Sequence, residues 1–390
     1  MVRQPASVIR SAVLGCLFLG HMMAIGLAWL PMFTYLRRHM TDEWMAIATA
    51  ILPIGGLSSY FISRSLQRWP KWNQTRYRVG FAQLLLAGLY WSIFRVMEQP
   101  AEGPTHPSTI VALVGLILLT GCAQPMAFSG LIATGLRQAT DLYPLLRSLA
   151  SLGYIAAGLI LAVGLPIDGT QLLAASCVFL IVGLASICVL RDQEPLPVGE
   201  STSNVVSIAG VIGAAEVALL ALIAMTMAFS EITHNIQTQT LLTRVFGPSG
   251  NALIQIGVGI EFGLLLAMPW LRHYPWLRQI LFLAGPLGWI LVIAGMMSVE
   301  QLPWAAISLV GLGLNAPWQT LVAQRLGADP HQQIKLTTAQ AAGSLSAYLT
   351  TWGLAYVDLP LHANWLAALL VVGSGALVAS VALATRATDP

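Results

Sequence analysis

Along this chain the polar positions come in short clusters and the apolar ones in long blocks. Twelve such blocks cover about 9–36, 43–63, 79–97, 109–136, 145–165, 171–190, 213–241, 251–270, 279–298, 303–324, 336–357 and 364–385. Each is near or above the ~20 residues that a helix needs to cross a bilayer. The ~10-residue segments of alternating polarity that mark a membrane β-barrel do not occur. The pattern predicts an all-α polytopic membrane protein of about twelve transmembrane helices. The longer blocks imply tilt or extension beyond the hydrocarbon layer. The least defined edge opens the seventh block: 208–215 is apolar but Gly-containing, and fits a helix on the membrane surface equally well.

Composition agrees. Only 9% of the 390 residues are charged and 56% are hydrophobic, against about 25% charged in soluble domains, and the mean hydropathy is +0.74. The basic start, MVRQPASVIR, precedes an apolar stretch far longer than a signal-peptide core and reads as an uncleaved first span. With the N-terminus cytoplasmic, fifteen of the nineteen Lys and Arg residues fall on the cytoplasmic side; only Arg37, Arg38, Arg95 and Arg244 do not. The bias predicts both termini inside, and the expected location is a cell membrane, a bacterial inner membrane. The net charge of +3 then reports topology, not attraction to a nucleic-acid polymer. The four cysteines, Cys16, Cys122, Cys177 and Cys188, all lie in apolar spans without metal-ligand spacing and behave as small hydrophobes.

The longest polar stretch between spans, RDQEPLPVGESTSN (191–204), falls after the sixth, near the middle of the chain. It predicts an N-terminal six-helix bundle over 1–190, a cytoplasmic linker over 191–206 and a C-terminal six-helix bundle over 207–390. Six spans, a hydrophilic linker and six more spans is the layout of the major facilitator superfamily, in which substrate binds between two repeats near the midplane. The loop after the second span, SRSLQRWPKWNQTRYRVG, carries five basic residues and no acidic one. The acidic partner that usually helps latch the cytoplasmic gate is missing from it.

An ionisable side chain deep in the bilayer costs about 2.5–3.5 kcal/mol on insertion scales, so it is paired, wetted or functional. Glu216 lies at the mouth of the seventh span, where snorkelling is cheap. Glu231 follows fifteen residues later in FSEITHNIQTQTLL, which also holds His234, Asn235, Gln237 and Gln239. Glu231 and His234, at i and i+3, form a candidate titrating pair; simple wetting of the outer end of the span is the alternative. Glu261 stands near mid-depth in the eighth span with no polar residue within a turn before it or two turns after it. It therefore needs a partner on another helix, a proton or water. Arg147, Ser151, Tyr154 and Gly158 recur at i, i+4, i+7 and i+11 on one face of the fifth span. In the superfamily layout that span faces the eighth, so Arg147 is a candidate partner of Glu261 as well as a candidate interfacial anchor.

Asn315 and Gln319 share a face of the tenth span beside Trp318, and Pro317 predicts a helix break there. In the eleventh, Gln340, Ser344 and Thr351 lie on one side; small and hydroxylated residues are common glue between membrane helices. Gln340 and Asn315 stand out because a carboxamide has both donors and acceptors to satisfy. His21, mid-way along the first span, fits a histidine bonded to a neighbouring helix better than a titrating one.

Several of these segments resemble the nucleoside:proton symporter family within the major facilitator superfamily. YPLLRSLASLGYIAAGLI is similar to its fifth-span pattern, which implies a cavity role for Arg147, Ser151 and Tyr154. SEITHNIQTQTLL is similar to a seventh-span Gln-Ile-Thr-Asn segment, with Glu231 and His234 at the Gln and Asn positions. LIQIGVGIEFGLLLAMPWL keeps the eighth-span acid as Glu261 and has Val258 at the preceding Gln position. Asn315 stands where the family has Asp, and TTAQ matches the opening of the eleventh span at Gln340.

The resemblance implies proton-coupled import of a small polar or aromatic, nucleoside-like solute by alternating access. Glu261, Glu231, His234 and Arg147 would carry proton coupling. Ser151, Tyr154, Asn315, Trp318, Gln319 and Gln340 would contact substrate. The expected partners are the solute, protons and lipid, with the protein a monomer and without a cofactor. An exporter of drugs or metabolites shares the layout, and a non-transporting receptor is a further alternative. No Walker, HExxH or Gly-x-Ser-x-Gly pattern is present, so neither ATP-driven transport nor an enzyme is expected.

Overall fold

The computed structural model describes residues 5–66, 68, 75–98, 107–162, 169–190, 219–226, 228, 249–271, 274–296, 302–356 and 361–386. The expected linker, 191–206, and Glu216, Glu231 and His234 lie outside the described residues.

Among them every element is a helix: α1 (Pro5–His39), α2 (Asp42–Leu66), α3 (Thr75–Met97), α4 (Pro107–Ala139), α5 (Tyr143–Ala162), α6 (Thr170–Val189), α7 (219–226), α8 (Ser249–Leu271), α9 (Pro275–Met296), α10 (Leu302–Gly313), α11 (Asn315–Leu326), α12 (Pro330–Tyr356) and α13 (Leu361–Arg386). Each expected span has its helix within a few residues, the seventh being described only in part. Seven of the described helical stretches are long and apolar enough to cross a bilayer by length and composition.

The tenth span is the exception to one helix per span. It breaks at Leu314 into α10 and α11, three residues before Pro317. A proline lacks the N–H that an interior helical position needs, but in a first turn that N–H has no intrahelical partner anyway. Pro317 therefore sits in the opening turn of α11, and the interruption falls ahead of it.

Helices α1–α6 pack mainly on one another, α3 against α6 and α4, and α1 against α5 and α6. Helices α8–α11 and α13 form a second group around α9. Contacts within each group are close because small residues meet backbone. Gly55 of α2 abuts Gly121 and Leu118 of α4, and Gly153 of α5 lies on the Leu19 carbonyl of α1. Membrane helices associate through such close approach, since lipid supplies no hydrophobic drive between them. Large apolar side chains such as Phe61, Val111, Ile181, Val371 and Val378 point outward, which suits a lipid solvent. Trp270, Tyr274 and Trp276, exposed at the turn between α8 and α9, are the amphipathic rings favoured at headgroup level.

Between the two groups run two seams, α5 against α8 and α2 against α12. At one end of the molecule the turns join as well. Arg137 Nε, at the end of α4, donates to the Ala328 carbonyl between α11 and α12 at 3.1 Å, and Gln324 Nε2 donates to the Thr140 carbonyl at 3.3 Å. Gln333 holds the α11 end by donating to the carbonyls of Ala323 (2.9 Å) and Gly327 (2.8 Å). Gly327 itself sits at φ +77°, a conformation that suits a residue without Cβ. Ala323 and Ile334 insert among the buried residues of α1–α6, so this end is sealed by apolar contact as well as by hydrogen bonds.

Candidate functional site

The helical stripe expected on α5 does face α8. Ser151, buried, donates its hydroxyl to Glu261 Oε1 at 2.5 Å across the seam. Two turns further along α5, Gly158 lies directly under the Gln255 carboxamide, which any side chain there would strike. Gln255 and Glu261 thus address the α5 stripe from α8, and the missing Cβ at Gly158 makes room for the longer of the two contacts.

Arg147, one turn before Ser151, is buried. Its guanidinium lies 5.0 Å from the Phe128 ring centroid on α4, and its charge acts on Glu261 without a direct ion pair among the described residues. The direct partner of the carboxylate is therefore Ser151. One terminal nitrogen, Arg147 Nη1, is buried with no hydrogen-bond partner among the described residues. A buried donor left unpaired is costly, about 1–3 kcal/mol and more for a charged group. Such a nitrogen is a ready docking point for an acceptor.

Tyr154 is half-buried and packs on Gly26 of α1, where a methyl group would come within 3.3 Å of its ring. Asn315 is buried at the start of α11. Two residues before it, Gly313 rests on Ile260 and Gly257 of α8, which brings Asn315 to the level of Glu261. Gln319, one turn further on, is half-buried. Gln340 is half-buried on α12 beside Ala341, which meets Gly56 of α2. Gln340 thus lies on the helix that forms the other seam.

Trp318 departs from expectation. It is fully buried, pressed on Gly285 of α9 and 6.1 Å from the Phe282 ring. Its ring packs within the second helix group in this structure.

His21 is bonded to a neighbouring helix, as its isolation in α1 suggested. Gln83 of α3 meets its Nδ1 with both ends of the carboxamide, Nε2 at 2.8 Å and Oε1 at 3.1 Å. The acidic residue missing from the loop after α2 has a counterpart elsewhere: Asp329, between α11 and α12, acts on the buried Arg78 of α3 across the sealed end, next to Arg137. Sequence reasoning passed over Gln83 and Phe128. Gln83 carries the same signal as Asn315, a carboxamide in an apolar helix, whereas an aromatic ring in a membrane span gives none.

No protein-family model matches the sequence, and no curated protein matches it. The backbone is nevertheless similar to solved structures over almost its whole length. The nucleoside transporter NupG matches with a TM-score of 0.60 at 12% identity, covering 98% of this chain and 100% of that one. The human organic anion transporter MFSD10 matches with 0.68 at 14%, covering 96% and 100%. FucP, a major facilitator superfamily transporter in the outward conformation, matches with 0.63 at 14%, covering 96% and 98%. At such identities the likeness establishes the architecture: the chain has the major facilitator superfamily fold, a multi-pass helical membrane architecture.

Proposed function

We propose that this chain is a secondary active transporter that takes up a small polar or aromatic solute together with protons by alternating access. In this reading both termini are cytoplasmic, the sealed end faces the cytoplasm, and the halves 1–190 and 207–390 rock about a central site. One observation carries it: the Ser151 hydroxyl of one helix group is bonded to Glu261 of the other at 2.5 Å.

That bond joins the two bodies which alternating access must separate. When the seam opens, the carboxylate loses its donor. Water and the protons of the open compartment then reach it, so the acid exchanges its proton with that compartment. When the seam closes, the carboxylate returns to the Ser151 hydroxyl and the Arg147 charge, out of reach of that compartment. Binding a proton in one state and losing it in the other is the coupling a gradient-driven carrier needs.

Substrate contacts in this reading come from Arg147, whose Nη1 seeks an acceptor, and from Ser151, Tyr154, Asn315 and Gln319. Gln340 would join them from the second seam. Glu231 and His234 are proposed as a further proton-carrying pair on the evidence of their spacing alone. Apolar walls with a few convergent polar groups are the usual make-up of small-molecule pockets. The fold-level likeness to transporters of nucleosides, organic anions and sugars supports transport without selecting among substrates.

The test begins with a thermal-shift screen of the purified protein against nucleosides, sugars, aromatic acids and peptides, each hit being confirmed by counterflow in proteoliposomes. Glu261→Gln is then expected to abolish uptake driven by a pH gradient while sparing exchange. Gradient-driven uptake that survives the substitution would remove Glu261 from the coupling role.

A further inference from the structure

The neighbourhood of Arg147 contains a set of contacts that the transport reading has not used. Phe128, on α4, carries the guanidinium at 5.0 Å from its ring centroid. The same ring is stacked with the His21 imidazole, centroids 5.4 Å apart and planes 9° from parallel. Phe18 of α1 closes on Phe128 edge-on at 6.3 Å. His21 is fixed in turn by Gln83, and Phe179 of α6 meets it edge-on at 5.7 Å. Side chains of α1 and α5 thus meet the Phe128 ring of α4, and α3 and α6 hold His21 behind it.

This is a costly arrangement to assemble for packing alone. His21 and Gln83 are both fully buried polar side chains, and a leucine pair would fill such a place without polar atoms to satisfy. What an imidazole adds over an aliphatic chain is a flat, polarisable face of defined orientation. What Gln83 adds is a lock on that orientation for either tautomer, since its carboxamide offers Nδ1 a donor and an acceptor. A cation over a ring is held by the ring quadrupole, more strongly where water is excluded.

We propose that Phe128, locked in place by His21 and Gln83, is the platform that positions the Arg147 guanidinium towards the Glu261 carboxylate. Phe128 and His21 touch neither the proton nor the solute; they are positioning residues acting through Arg147. Without the platform the flexible stem of Arg147 is free to swing away, and its charge reaches Glu261 less. The proposal rests on the reading of Glu261 as a proton-binding group. From the described helices the charged or polar groups facing that acid are Arg147 and Ser151 of α5. Those facing His21 are Gln83 of α3, the Arg147 charge of α5 and the rings of Phe128 and Phe179.

The test needs no substrate. Full-length protein in lipid is titrated by infrared difference spectroscopy, with the Glu261 carboxyl band identified as the one lost in Glu261→Gln. Arg147→Gln is expected to move the midpoint of that band. Phe128→Leu and His21→Leu are expected to move it in the same direction, each by no more than Arg147→Gln does. The ring-keeping variant Phe128→Tyr should leave it in place, and Phe128→Leu should add nothing in an Arg147→Gln background.

If Arg147→Gln moves the midpoint and neither leucine variant does, the platform is overturned while the coupling of Arg147 to Glu261 stands. If Arg147→Gln itself moves nothing, both fall. Should Phe128→Leu fail to fold, His21→Leu and Phe128→Met carry the same comparison.

Discussion

The two seams that join the helix groups occupy equivalent places in the fold, yet they are built from different chemistry. Along α2 and α12 small residues meet: a methyl group at Gly56 would stand 2.8 Å from the Ala341 Cβ. The hydroxyls along these helices turn back onto their own turns. Ser59 donates to the Gly56 carbonyl at 2.6 Å, Thr338 to Ile334 at 2.6 Å and Ser344 to Gln340 at 3.0 Å. Along α5 and α8 the hydroxyl of Ser151 instead crosses to an acid on the facing helix. A seam whose polar groups are satisfied at home parts and rejoins at little polar cost. A seam whose acid is bonded across the gap has a different charge environment in each state. The first serves as a bearing and the second as a sensor.

That contrast can be broken experimentally. The largest effect is expected from moving an acid to the quiet seam: Ala341→Glu buries a carboxylate opposite Gly56 with no donor built for it. It should cost about 3 kcal/mol, read as a large fall in melting temperature or loss of membrane-inserted protein. Gly158→Leu should come next. It drives a side chain into the space of Gln255 and, as an overpacking change, should cost about 2 kcal/mol while prising α5 from α8. Cysteine labelling at the seam should rise in this variant.

Ser151→Ala removes the bond to Glu261 and should cost about 1.5 kcal/mol, the value for a hydrogen bond to a charged group. Ser59→Ala, its counterpart at the quiet seam, should stay within about 0.5 kcal/mol. Equal effects of the two serine substitutions on denaturant unfolding in detergent would erase the distinction between the seams.

The fold was legible because lipid leaves a chain few options. A backbone in hydrocarbon must bond within itself, so length and apolarity alone locate spans, and the helices match the expected blocks. The seam was legible for a related reason. In an α5 that is otherwise apolar, Arg147, Ser151 and Gly158 mark one face by their spacing, and the structure turns that face to Glu261 and Gln255.

Trp318 misled because polarity patterns rank faces only when the faces differ. On α11 apolar side chains occur all round, so a tryptophan beside Asn315 and Gln319 looked like part of their face although its ring turns to Gly285 and Phe282. Phe128 and Gln83 were missed because their importance lies in a meeting of five helices, which no local window contains. The charge of Asp329 on Arg78 was hidden for the same reason: the two are some 250 residues apart along the chain and meet only in the fold.

The interruption at Leu314 gives the tenth span two rods where its neighbours have one. The lower rod, α11, is tied at its far end to the turns that seal the molecule, through Gln324 and the Gln333 bonds. The upper rod, α10, rests on α8 right beside Glu261. Between them lies a knuckle with one long bond, Trp318 N to the Leu314 carbonyl at 3.5 Å. The tenth span is thus the element that reaches both the sealed end and the neighbourhood of the acid.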